Sequence, residues 1–168
     1  MRLSPSLELL LAALGVLSAS CAAPGTGGEP PGGARDAQAR LLDGFHAAAA
    51  RADLEDYLGR MAPGALFVGT DPTEVWTLAE FRAFVAPYFA EGRGWTYHPV
   101  ERRIDPCGPD AAAFYETLDN AKYGRLRGSG ALVRGPEGWR IAHYVLSFQV
   151  PNETAPALLE LLGAAPGP

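Results

Sequence analysis

At Gly94 the sequence changes period. Up to that point apolar residues recur every three or four positions; beyond it they alternate every second position, with turn signals at strand-length intervals. A chain that spells helices first and strands second buries both by laying the helices on one face of a single antiparallel sheet. The expected fold is therefore α+β, with a curved meander sheet beneath a helical layer.

The helical half divides in three. Leu41, Leu42, Phe45, Ala48, Ala49 and Ala52 make one apolar stripe and predict a helix from Asp36. Asp53 is a good N-cap for a short second helix carrying Leu54, Tyr57, Leu58 and Met61, which Pro63-Gly64 stops. Ala65–Gly69 predicts a strand. Thr77-Leu78-Ala79-Glu80 is a capping box, in which each side chain accepts from the other residue's free backbone N–H. It opens a third helix with Leu78, Phe81, Phe84, Val85 and Tyr88 on one side, ended by Gly92 and Gly94. Four strands follow: Trp95–Ile104, Ala111–Leu118, Leu126–Arg134 and Trp139–Val150. The last two are joined by the tight connection Gly135-Pro136-Glu137-Gly138. Thr154 is the expected N-cap of a closing helix (153–168 with its tail) that carries Leu158, Leu159, Leu161 and Leu162.

Ahead of this, Leu9–Cys21 is an apolar run too short to span a bilayer and of the length of a signal-peptide core. Its end, Leu17-Ser18-Ala19-Ser20-Cys21, resembles the bacterial lipobox, and segment 21–35 has the Gly/Pro-rich composition of a tether. The resemblance implies a signal peptide over 1–20, lipidation of Cys21, and a domain (36–152) held at a membrane of the cell envelope. Ser18 stands where the strictest lipobox has Leu, and the only positive charge before the apolar run is Arg2. Cleavage near Ala19–Ala23 and plain secretion is the alternative. Lipidation would leave Cys107, in the turn Asp105-Pro106-Cys107-Gly108-Pro109, as a lone and inert thiol; a Cys21–Cys107 disulfide would exclude the lipid. A net charge of −5, with no basic run interleaved with aromatics, argues against nucleic acid as a partner.

Several words stand in a familiar order: Phe45-His46-Ala47-Ala48-Ala49-Ala50-Arg51-Ala52-Asp53, Gly69-Thr70-Asp71-Pro72-Thr73-Glu74-Val75-Trp76-Thr77 and Gly92-Arg93-Gly94-Trp95-Thr96-Tyr97. Leu118-Asp119-Asn120-Ala121-Lys122-Tyr123-Gly124, Arg127-Gly128-Ser129-Gly130 and Gly138-Trp139-Arg140-Ile141-Ala142 follow. Over about residues 38–152 the chain resembles the SnoaL-like domains of the superfamily that includes nuclear transport factor 2 and ketosteroid isomerase. The resemblance implies an NTF2-like cone with a pocket between the concave sheet and the helices, and pairing of two copies through the convex face. For function it implies only a range, since the superfamily includes isomerases, cyclases, dehydratases and non-catalytic binders.

Such a pocket directs attention to side chains that alternate towards it. On the last strand Trp139, Ile141, His143, Val145, Ser147 and Gln149 share the mixed face expected of a pocket wall. Ala142, Tyr144, Leu146 and Phe148 share the apolar face expected of a core or subunit contact. His143 with Asp71 or Glu116 would make an acid–base unit, with Tyr57, Tyr88 or Tyr97 donating to an enolate, as in SnoaL cyclases and ketosteroid isomerase. The competing reading leaves His143 hydrogen-bonded in a half-polar pocket and pairs Glu116 with an arginine. His46 falls on the pocket or at the helix edge, His98 in solvent. Asp71, Glu74 and Trp76 belong to a loop at the expected mouth, where Asp71 and Thr73 alternatively close a turn and Trp76 staples the next helix. The ligand-pocket candidates are thus Tyr57, Asp71, Trp76, Tyr97, Glu116 and His143. Three distant histidines give no metal pattern, and Arg127-Gly128-Ser129-Gly130 lacks the Lys and following helix of a phosphate loop, so neither metal nor cofactor is expected. With no unmistakable catalytic set, the expectation is a non-catalytic module that binds a small apolar or amphipathic molecule or a partner. The alternative is a small enzyme with a pocket acid–base pair.

Overall fold

The computed structural model describes residues 31–163; the signal-peptide reading, Cys21 and segment 21–30 lie outside them. Helix α1 (Pro31–Ala50) starts five residues before the expected Asp36, inside the segment read as a tether. Proline tolerates the first helical position, where its missing N–H would have no partner anyway. Asp53 caps α2 (Leu54–Gly59) by accepting from the Asp56 N–H at 3.0 Å.

The next strand, β1 (Met61–Val68), begins earlier than expected and runs straight through Pro63-Gly64. Gly64 takes φ 80°, and the pairing shifts register between Met61 and Leu66, so the proline and glycine bend the strand instead of ending the helix before it. A short strand missed in the sequence, β2 (Val75–Thr77), pairs antiparallel with β1. Both sides of the Thr77–Glu80 capping box form at the start of α3 (Leu78–Ala90), and Trp76 stacks on Phe81 at 5.7 Å as its staple.

Strands β3 (His98–Pro106), β4 (Ala111–Asn120), β5 (Gly124–Gly135) and β6 (Gly138–Phe148) make the expected meander. The sheet as a whole is mixed, not antiparallel: its order is β2-β1-β6-β5-β4-β3, and β1 lies parallel to β6. α1, α2 and α3 pack against it around Leu42, Phe45, Tyr57, Phe81 and Val85, all at most 2% exposed. Phe67 of β1 stacks on Phe81 at 4.0 Å and on Tyr144 at 5.5 Å, which ties α3 to the middle of the sheet.

Two irregularities decide which side chains face the helices. Between β3 and β4 the register shifts at Pro99–Glu101, so Arg102 and Ile104 turn inward. Between β5 and β6 it shifts opposite Ile141–His143; Trp139 and Ile141 are buried before the shift, Tyr144 and Leu146 after it. One extra residue therefore reverses the expected faces for the second half of β6. Trp95–Tyr97 are not part of β3 but precede it as irregular chain.

Helix α4 (Ala155–Leu161) has no buried residue, and Thr154 donates to the Pro151 carbonyl instead of capping it. Cys107 is exposed in the β3–β4 turn, not buried.

Candidate functional site

Between the helices and the concave side of the sheet lies an open cavity of about 570 Å³. Rings dominate its wall: Phe45 and Tyr57 from α1 and α2, Phe81 and Phe84 from α3, Trp95 and Tyr97 from the segment before β3, with Tyr144 from β6. Phe45 and Tyr57 stack at 4.4 Å, and Trp76 stacks on Phe84 at 4.5 Å. Such a wall favours flat, apolar ligands.

One polar cluster interrupts it. Glu116 of β4 is wholly buried, yet it makes three strong contacts. His46 Nε2 lies 2.5 Å from Oε1, the Tyr144 hydroxyl donates to the same oxygen at 3.0 Å, and Arg102 Nε donates to Oε2 at 2.8 Å. Arg102 is itself fixed to Asp43 and the Ala39 carbonyl of α1. Burial pushes the Glu116 carboxyl up. Hydrogen bonds from His46 and Arg102, together with the Arg102 charge, outweigh it and hold the group below its ordinary 4.5. It is therefore an anion at neutral pH. Burial, reinforced by that anion, raises Tyr144 well above the ordinary tyrosine value. Tyr97 is pushed up to about 12, mainly by burial, and Tyr57 higher still for the same reason.

Gly128 makes the cluster fit. It sits opposite Glu116 in the sheet, and a Cβ there would fall 2.2 Å from the Tyr144 hydroxyl. Only a glycine leaves that hydroxyl room to reach the carboxylate.

Of the residues singled out in the sequence, Tyr57, Trp76 and Tyr97 line the cavity. Glu116 sits behind its wall, touching His46 and Tyr144. Asp71 does not join them: it is exposed in the β1–β2 loop, and its Oδ1 accepts from the backbone and hydroxyl of Thr73, closing a turn. The pairing of His143 with Asp71 or Glu116 does not form. His143 follows the reversal in β6, which turns it onto the sheet face away from Tyr144. His46 occupies the place intended for it. Its signal was in the sequence, four residues after Leu42 and three before Ala49 on the same stripe. Among the described residues no three His, Cys, Asp or Glu side chains gather to hold a metal ion.

The SnoaL-like domain family matches residues 39–151, and the chain belongs to it. Solved structures of the same fold include a candidate dehydratase of the NTF2-like family from Streptomyces avermitilis, 15% identical with TM-score 0.62. The match covers 72% of this chain and 99% of that one. A candidate ketosteroid isomerase from Shewanella frigidimarina is 20% identical with TM-score 0.54, over 66% and 94% of the two chains. An NTF2-like protein of unknown function from Pseudomonas putida is 13% identical with TM-score 0.59, over 71% and 89%. Curated protein sequences give no match.

Proposed function

We propose that the cavity takes up a flat, largely apolar molecule and that His46, backed by Glu116, moves a proton on it. The observation that carries this is the pairing of the one imidazole on a ring-lined wall with a wholly buried carboxylate that its hydrogen bonds to His46 and Arg102 keep ionised. A carboxylate so placed fixes the ring and stabilises the imidazolium that forms when it accepts a proton. Tyr97, neutral at physiological pH, is a donor on the same wall for an oxygen that gains charge. Proton abstraction beside a carbonyl, followed by isomerisation or loss of water, is the chemistry these groups suit. Two structures of similar fold are named for such reactions.

A binding module without catalysis is the second reading. The same network favours it in one respect, since the Tyr144 hydroxyl and both Glu116 oxygens are occupied within the wall. Deuterium wash-in at the carbon beside the carbonyl, followed by proton NMR over a panel of aryl ketones, separates the two. The wild type should exchange above the buffer rate, and His46→Gln should lose about 100-fold or more of that excess. Buffer-rate exchange of a ketone that demonstrably binds would sink the catalytic reading and leave the binding one.

The sequence further supports tethering of the domain to an envelope membrane through a lipid on Cys21. Intact mass of the protein from the membrane fraction of its host should carry a diacylglycerol-sized addition that Cys21→Ala abolishes. A soluble, lipid-free product cleaved near Ala19–Ala23 would replace tethering with secretion.

A further inference from the structure

Glu74 is the one carboxylate on the cavity wall, and among the described residues it has no basic partner. It is half-buried and held in place from two sides. The Asp71 N–H donates to Oε2 at 3.2 Å, and the Gly69 N–H donates to the Glu74 carbonyl at 2.8 Å. The side chain lies back over Gly69: a Cβ there would fall 2.1 Å from Oε2 and 2.9 Å from both Cβ and Cδ of Glu74. The loop thus builds a seat for a carboxylate and supplies no counterion.

The neighbouring rings share the preference for positive charge. Aromatic faces attract cations, most strongly where water is partly excluded. Two cavity rings already carry the chain's own: the Arg93 guanidinium lies 4.7 Å from the centre of Tyr88, and the Lys122 ammonium 4.6 Å from that of Tyr123. Lys122, the only lysine or arginine on the wall among the described residues, also donates to the Tyr123 hydroxyl at 2.8 Å. Trp76 and Tyr97, on the same stretch of wall as Glu74, have no such occupant among the described residues. Burial is the main reason Tyr97 titrates high, and the Glu74 charge adds to it. A net charge of −5 draws cations towards the molecule from a distance.

We propose that the ligand of this cavity is an organic cation, a ring-bearing amine or quaternary ammonium compound whose nitrogen lies against Glu74 beside Trp76 and Tyr97. The inference deepens the reading of the cavity as a ligand site and rests on it. The apolar body of the ligand would extend inward along the stacked rings towards His46.

Fluorescence of Trp76 and Trp95 follows binding of phenyltrimethylammonium and of its neutral isostere, tert-butylbenzene. The wild type should bind the cation about tenfold more tightly than the isostere. Glu74→Gln should remove that preference and leave the affinity for the isostere unchanged. Gly69→Ala keeps the carboxylate but displaces a flexible side chain, so the fold survives; it should lose the preference too. Equal or weaker binding of the cation by the wild type overturns the inference while the cavity remains a site for neutral ligands. A preference that persists in both variants also overturns it. Binding of neither probe overturns the cavity reading along with it.

Discussion

Glu116→Ala is expected to lower the free energy of unfolding by about 3–5 kcal/mol, measured by urea denaturation at neutral pH. The wild-type carboxylate is wholly buried and serves His46, Tyr144 and Arg102 at once. Removing it strands the Arg102 guanidinium beside the sheet with Asp43 as its only charged partner among the described residues, and Arg102 Nη2 is already buried without a hydrogen bond. The cost of an uncompensated buried charge dominates; the lost side-chain volume adds to it. The same pairing sets a pH dependence. Because the folded-state carboxyl titrates below its ordinary 4.5, its contribution is complete above that value and is lost as pH falls through the range beneath it. Wild-type stability should therefore decline as the pH falls below the ordinary 4.5, and Glu116→Gln, which cannot titrate there, should start lower and decline less. A change under about 1 kcal/mol in Glu116→Ala would mean that the cluster is hydrated in solution.

The elements that could be read from the chain are those whose causes are local. The Thr77–Glu80 box, its Trp76 staple and the Asp53 cap need only neighbours within a few residues, and all form. What escaped depends on partners far along the chain. The parallel pairing of β1 with β6 joins Leu66 to His143, and no local pattern announces it. Glu116 meets His46 across 70 residues, so each could be seen as a candidate while their union could not. The exchange of His143 for Tyr144 has a sharper cause. Two-residue alternation assigns faces correctly only while the register holds, and a single unpaired residue near Ala142 reverses everything after it. Pro99–Glu101 does the same on β3, which is how Arg102 comes to face Glu116.

That irregularity has a residue that permits it, and replacing that residue should be costly. Gly130 of β5 pairs with Tyr144, and a Cβ on it would fall 1.9 Å from the His143 carbonyl oxygen and 2.8 Å from its carbon. Both atoms are backbone, held in the middle of the sheet, so neither can swing aside as a side-chain tip would. Gly130→Ala is expected to cost about 2–3 kcal/mol in urea denaturation, through strain imposed on β6. Gly135→Ala, at the far end of the same strand, meets nothing within 4 Å and lacks a positive φ, so it should change stability by less than about 0.5 kcal/mol. The comparison isolates the close approach from the general effect of adding a methyl group to a glycine in β5. Strain at His143 is also strain at Tyr144, whose hydroxyl reaches Glu116 because the chain kinks there. Gly130→Ala should therefore loosen the Tyr144–Glu116 bond and weaken binding of aromatic probes in the cavity, whereas Gly135→Ala should leave it intact. Equal stability of the two variants would show that β6 slides to accommodate the methyl, and that the reversal of its faces does not depend on the glycine.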